Sequence, residues 1–213
     1  SSGFSTCRYT KWFDEKYGKE RTSNLWIKTH LMCGVKTHIV TSVEITGKDV
    51  NDSPMLPTLV SQTGKNFQLN EVSADKAYLG NDNLTAIEAA GAVPYIPFKI
   101  NSTPTGGSDA WRRLYHLYEF KREEFLAHYH RRSNVESTFS AVKRKFGGSL
   151  RSKLPAAQMN EALLKCLCFN LSMLVHSIHE HRRGLRLRLL VRRQRGDEGS
   201  DRRRRPDHAC VRV

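Results

Sequence analysis

His128-Tyr129-His130-Arg131-Arg132-Ser133-Asn134-Val135-Glu136, continuing through Phe139 and Lys143 to Phe146-Gly147-Gly148, is the stretch on which the reading of this chain turns. At about 100° per residue on an α-helix, Tyr129, Arg132, Glu136 and Lys143 fall within a sector of roughly 60°, so all four project from one stripe. An aromatic hydroxyl, a guanidinium, a carboxylate and an ammonium in one line do not suit a buried face. They suit a helix that presents a phosphate-and-metal site. The plainer alternative is a solvated face with an Arg132 to Glu136 pair one turn apart, worth roughly a few tenths of a kcal/mol.

Order and spacing favour the first reading. Tyr, two residues, Arg, three residues, Glu, six residues, Lys resembles the signature around the last acidic residue of the DDE-type insertion-sequence transposases, and all four positions are matched without a gap. A second block, Val72-Ser73-Ala74-Asp75-Lys76-Ala77-Tyr78-Leu79-Gly80, resembles the segment that holds that family's second catalytic aspartate. The resemblance covers most of residues 1–180 and divides the chain into a partial catalytic domain and an arginine-rich tail, 181–213. It implies an α/β fold, an RNase H-like mixed sheet flanked by helices. It also implies metal-dependent strand cleavage and strand transfer, with transposon ends and target DNA as partners and a homodimer in a synaptic complex. In that chemistry two divalent cations about 4 Å apart activate the attacking oxygen and stabilise the leaving one. Hard cations such as Mg²⁺, or Mn²⁺ in its place, take carboxylate oxygens and keep other positions for water and phosphate. Carried onto matching positions, Asp75 and Glu136 are the catalytic carboxylates and metal ligands. Tyr129, Arg132 and Lys143 are the DNA contacts, Arg132 suited to bidentate and Lys143 to point-charge phosphate binding.

The same resemblance bears on the first residues. In these transposases the first catalytic Asp is followed by a small Ser/Thr-Gly segment like Ser1-Ser2-Gly3-Phe4-Ser5-Thr6, so that Asp is expected immediately before Ser1. Asp14, the nearest substitute, sits in the polar loop composition Lys11 to Gly18. The expectation is a first central strand largely missing, strand edges prone to pairing, marginal solubility, and a chain inactive as written beside an active intact parent. A different class of function is a non-catalytic DNA-binding remnant using Arg132, Lys143 and the tail. A third is a metal-dependent nuclease of the same superfamily.

Composition is consistent with a nucleic-acid partner. A chain of 213 residues with net charge +14 and pI near 9.8 can bury one core and favours a polyanion. Residues 181–213 hold 12 Arg against 4 Asp or Glu, so +8 of the +14 lies there and the body carries +6. Low hydrophobicity with high charge predicts disorder in that tail, either a DNA-binding arm or a frame-shifted end. Five cysteines, with no C-x-x-C pair and no nearby His at ligand spacing, read as reduced thiols of a cytosolic protein, and the resemblance implies a bacterial or archaeal one. No apolar run is read as long enough for a membrane span, and no signal peptide opens the chain.

Period-2 alternation predicts strands over Leu25 to Cys33 and Thr37 to Thr46, joined as a hairpin, with His30 and His38 on polar, solvated faces. Asn51-Asp52-Ser53-Pro54 signals a capped helix ending at Gly64. Leu69 to Ala74 reads as a buried strand with Asp75 at its carboxyl end, where α/β folds bind ligands; the alternative for Asp75 is a cap or turn. A helix over Asn81 to Ala90, an edge strand over Val93 to Phe98 marked by two prolines, and a helix capped by Ser108-Asp109 follow. The Trp111/Leu114/Tyr115/Tyr118 stripe reads as core rather than as a base-stacking platform. A long helix over Lys121 to Phe146 stops at Gly147-Gly148. Leu163 to Ile178 recurs at helical spacing, giving a last helix expected to cover the sheet or its neighbour.

Overall fold

Alternating side chains in the first third of the chain build three antiparallel strands: β1 (Ser2–Ser5), β2 (Trp26–Cys33) and β3 (Val40–Gly47), in that spatial order. The computed structural model describes residues 1–6, 16–18, 26–105 and 107–197, with side chains through 180. Asp14, Cys7 and Cys210 and the stretch 198–213 lie outside the described residues. The β2–β3 hairpin was expected. Its turn is longer than three residues, closing through the Gly34 to Ile39 and His38 to Gly34 backbone bonds with His38 at φ 55°.

Helices α1 (Leu56–Gly64), α2 (Asn81–Ala89), α3 (Asp109–Phe120) and α4 (Arg122–Tyr129) surround a second, two-stranded parallel sheet of β4 (Glu71–Ser73) and β5 (Val93–Tyr95). A one-turn helix at His130–Arg132 leads into α5 (Ser133–Phe146), and α6 (Pro155–Asp197) follows. The fold is thus the expected mixed α/β class, with small sheets flanked by helices. Ser108 caps α3 through the Trp111 amide, and Gly147, at φ 83°, ends α5 in a conformation that L side chains resist.

Apolar burial divides between two clusters in the unit Ser1–Met173. The first gathers Leu56, Val60, Val72, Leu84, Ile87, Ile96, Phe98, Leu114 and Phe125, with Trp111, Tyr115 and Tyr118 packed on it, so that stripe is core as expected. The second gathers Phe4, Leu31, Val40, Ile45, Phe139, Val142, Leu150, Ala162 and Phe169. Strand β2 contributes Met32 to one and Leu31 to the other, so helices cover both faces of the antiparallel sheet. His30 therefore is not solvated. It is 1% exposed, with Nε2 bonded to Thr46 Oγ1 at 2.9 Å, and burial lowers its pKa. His38 likewise bonds Thr138 Oγ1 across to α5 at 3.2 Å.

Helix α6 departs from expectation in length and in exposure. Ala162, Cys166 and Phe169 pack inward, while Leu163, Leu164, Leu167 and Leu171 on the opposite side are about half exposed. Its backbone is helical as far as Asp197, well into the arginine-rich segment. By length and composition Pro155–Glu180 is also long and apolar enough to cross a membrane, an 18-residue stretch of it reaching a mean hydropathy of 1.3, contrary to the sequence reading. Polar side chains bind its first half to the domain instead. Lys165 Nζ donates to the carbonyls of Gly147 and Ser149 at 3.0 and 2.7 Å, and Asn170 exchanges two bonds with the Val40 backbone.

Candidate active site

Strand β4 ends at Ser73, and the chain stays extended through Asp75 (φ −70°, ψ 157°) before the one-turn helix Lys76–Tyr78. Residues two apart on an extended chain share a face, so Glu71, Ser73 and Asp75 look the same way. What they meet is the turn joining α4 to α5. Ser73 Oγ donates to the His128 carbonyl at 3.0 Å, and the Glu71 carboxylate takes His128 Nδ1 on one oxygen and the Arg131 guanidinium on the other. Asp75 ends the row beside Arg132, whose pKa its charge helps to raise.

The expected continuous helix from Lys121 to Phe146 is broken at His130–Arg132, so Tyr129 ends α4, Arg132 lies in the one-turn helix and Glu136 falls in the first turn of α5. Hydrogen bonds restore what the break takes away. Arg132 Nε donates to the Tyr129 hydroxyl at 2.9 Å, its guanidinium lies 5.3 Å from the Tyr129 ring centre, and its NH1 donates to Glu136 Oε1 at 2.9 Å. Burial would lower the Arg132 pKa; bonds to Tyr129 and Glu136 and the nearby Asp75 outweigh it, and the guanidinium stays charged. Lys143 stands apart from the other three. Seven residues beyond Glu136, about 10 Å along the helix, its Nζ donates to Ser2 Oγ at 2.7 Å and lies 5.7 Å from the Phe4 ring centre.

A cavity of about 290 Å³ opens between these elements, lined among others by Ser1, Asp52, Glu71, Asp75, Arg131, Arg132 and Glu136. Asp75 and Glu136, distant in sequence, thus share one opening with Arg132; Tyr129 and Lys143 are not in its wall. Asp75 also satisfies the plainer reading, since its carboxylate accepts from the Lys76 amide at 2.7 Å as a helix cap. The side-chain cap expected within Asn51-Asp52-Ser53-Pro54 is not made by the residue at the cap position. Asp52 stands at the cap position but accepts from Ser1 Oγ at 2.6 Å and pairs with Lys28 at 3.0 Å. Burial opposes ionisation of Asp52, yet those partners hold its pKa below the ordinary carboxylate value. Burial, with the charges of Asp52 and Asp75, pushes Tyr78 beside it up to about 12.

Two carboxylates with hard oxygens facing one opening fit a cation that keeps water and phosphate as its remaining ligands. Among the described residues no group of three or more His, Cys, Asp or Glu is placed to share a metal ion. Asp52 and Glu71 also lie in the cavity wall, but Asp52 is held by Lys28 and Ser1 and Glu71 by His128 and Arg131. Sequence reasoning missed Asp52, Glu71 and His128 at this site. Glu71 and His128 are 57 residues apart, and nothing local in either segment marks them as partners.

An aspartate just beyond a strand end, a helix-borne glutamate and an arginine between them thus face one cavity of a mixed α/β fold. The chain matches the family described as "Transposase DDE domain" over residues 1–171 and belongs to it. The function of that family is DNA transposition, and DNA is its substrate. No solved structure matches the chain.

Proposed function

We propose that the intact transposase to which this domain belongs performs metal-dependent cleavage and strand transfer at the ends of an insertion sequence. Asp75 and Glu136 act as the ligands of Mg²⁺ or Mn²⁺. The observation that carries this reading is that both carboxylates line one cavity with Arg132 between them. A bound divalent ion there supplies Lewis-acid polarisation of a phosphate oxygen. The chain's own groups do the rest. Arg132, pinned by Tyr129 on one side and Glu136 on the other, presents a charged fork to a phosphate and orients the Glu136 carboxylate. Tyr129 fixes that fork, and Lys143 meets the DNA backbone further along α5. Residues 1–180 serve as the catalytic domain of a cytoplasmic bacterial or archaeal element, two copies holding the two ends in a synaptic complex, and the arginine-rich tail adds charge for DNA.

A second reading, DNA binding without cleavage, draws its support from the absence of a third clustered metal ligand among the described residues. One assay separates the two. Purified chain is incubated with supercoiled plasmid and Mn²⁺, and nicking and binding are measured together for the parent and Glu136→Gln. The catalytic reading expects nicking to vanish in the variant while binding is kept or strengthened, because a negative charge facing phosphate has been removed. Nicking that survives the substitution would overturn it. A parent that binds but never nicks leaves the binding-only reading standing.

A further inference from the structure

Between the strand that presents Asp75 and the helix that presents Glu136 stands a cluster that none of the roles above uses. Glu71 opens β4 and grips α4 and the following turn with both oxygens, His128 Nδ1 on Oε2 and Arg131 NH1 on Oε1. His128 is held a second way by its own carbonyl, which accepts from Ser73 Oγ at 3.0 Å. It is held a third way by its ring, which lies parallel to Tyr95 at 4.5 Å and 8°. Tyr95 is the residue of β5 in register with Ser73, so the two strands of the parallel sheet grip one histidine from both sides. The side chains of Glu71 and His128 are only 24% and 28% exposed, so this is no solvated surface pair.

The position of the cluster gives it a consequence. It sits four residues before Asp75 on one side and immediately before Tyr129 and Arg132 on the other. The chain there is a one-turn 3₁₀ segment: the His130 amide still bonds back to the Leu126 carbonyl, but the Ser133 amide reaches only His130 and Arg131, so the helical ladder is weakened at this turn. With the helix interrupted, the direction in which α5 leaves toward Glu136 is set by what holds the turn from outside.

We propose that Glu71, with His128, is a positioning residue for the metal-binding pair: it locks the His128–Arg132 turn to β4 and thereby fixes the spacing of Asp75 and Glu136. This rests on the reading of Asp75 and Glu136 as metal ligands. Groups that orient metal-binding carboxylates without touching the ion typically cost about 10- to 100-fold in affinity when removed. Glu71→Gln keeps the shape and loses the charge that both His128 and Arg131 answer.

The test measures Mn²⁺ affinity from the loss of the free-ion electron paramagnetic resonance signal. It compares the parent, Asp75→Asn, Glu71→Gln and Ser73→Ala, each checked for an intact fold by circular dichroism and thermal unfolding. The expected result is that Asp75→Asn removes the site and Glu71→Gln weakens it at least tenfold in a chain that still folds. Ser73→Ala, which deletes only the bond to the His128 carbonyl, weakens it less. Glu71→Gln and Ser73→Ala both within twofold of the parent, with Asp75→Asn still abolishing binding, would overturn the positioning role and leave the metal-site reading intact. Mn²⁺ binding indifferent to Asp75→Asn would overturn the metal-site reading, and the positioning role with it. If Glu71→Gln fails to fold, the Ser73→Ala affinity decides alone: a loss of threefold or more supports the role and no change defeats it.

Discussion

The two walls of the cavity are made by different kinds of structure. Asp75 stands on the parallel sheet and its helices, a region whose core is aromatic, with Tyr95, Phe98, Tyr118 and Phe125 meeting at ring-centre distances of 5.0 to 5.6 Å. Glu136 stands on α5, whose Phe139 and Val142 belong to the other core, built on the antiparallel sheet and closed by α6. Each carboxylate is thus anchored in its own cluster of buried side chains, and the site exists only where the two clusters are joined. Apolar packing, which has no direction, makes each wall firm. The seam between them is polar, made by Glu71, Ser73, His128, Arg131 and Arg132, and directional bonds there set the geometry.

That division can be broken or sharpened by substitution. The largest effect is expected from Phe125→Ala, which empties a fully buried aromatic site and removes the ring against which Tyr129 lies at 6.2 Å. A loss of about 3–5 kcal/mol in denaturant unfolding is expected, together with weakened Mn²⁺ binding. Next comes Lys165→Met on the far side of the other core. It leaves the Gly147 and Ser149 carbonyls without their donor and is expected to cost about 2–3 kcal/mol while Mn²⁺ affinity stays unchanged. If Lys165→Met disturbs metal binding as much as Phe125→Ala does, the two walls are not independent and the comparison fails.

The seam should behave in the opposite sense, small in stability and large in function. Burial would raise the Glu71 pKa, but bonds and charge from His128 and Arg131 hold it below its ordinary value of 4.5. The stabilisation is therefore fully present above pH 4.5 and is lost as pH falls through the lower folded value. Glu71→Gln should cost about 1–2 kcal/mol at pH 7, and thermal unfolding of variant and parent should converge as the solution is taken well below pH 4.5. A difference that persists unchanged into acid would show that packing, not the ionised carboxylate, holds the turn. The smallest effect is expected at Lys143, which stands away from the cavity. Lys143→Ala should weaken DNA binding evenly across sequences and reduce the salt slope by about one, measured by fluorescence anisotropy at several ionic strengths.

The order of elements was legible because each is written in local periodicity: the β2–β3 alternation, the Ser108 cap, the Gly147 stop and the short strand that leads to Asp75. The break at His130–Arg132 was not. No Gly or Pro lies between Lys121 and Phe146, and helical spacing runs straight through. The interruption is instead accompanied by bonds from Glu71 and Ser73, residues far away in the chain. His30 misled for a related reason. Its alternation with Leu31 reads as a polar face, but a strand covered by helices on both sides has no polar face, and only tertiary packing reveals that. For the site, the resemblance carried by two sequence blocks named Asp75, Arg132 and Glu136, which line one cavity. It joined Lys143 and Tyr129 to the same stripe, although neither lies in the cavity wall and Lys143 bonds Ser2 instead.

That last contact sets the order in which the polypeptide can mature during synthesis. Ser2 meets Lys143 across 141 residues, and Ser5 is bridged to Ser149 through bonds with Gly148 and Leu150. Strand β1 can pair with β2 as soon as that strand has left the ribosome, but its outer side waits for partners made more than a hundred residues later. At about 5–20 residues per second of synthesis, the nascent chain spends seconds with that flank uncovered. A pause or truncation before residue 150 would therefore leave β1 without the cover supplied by Lys143, Gly148 and Leu150.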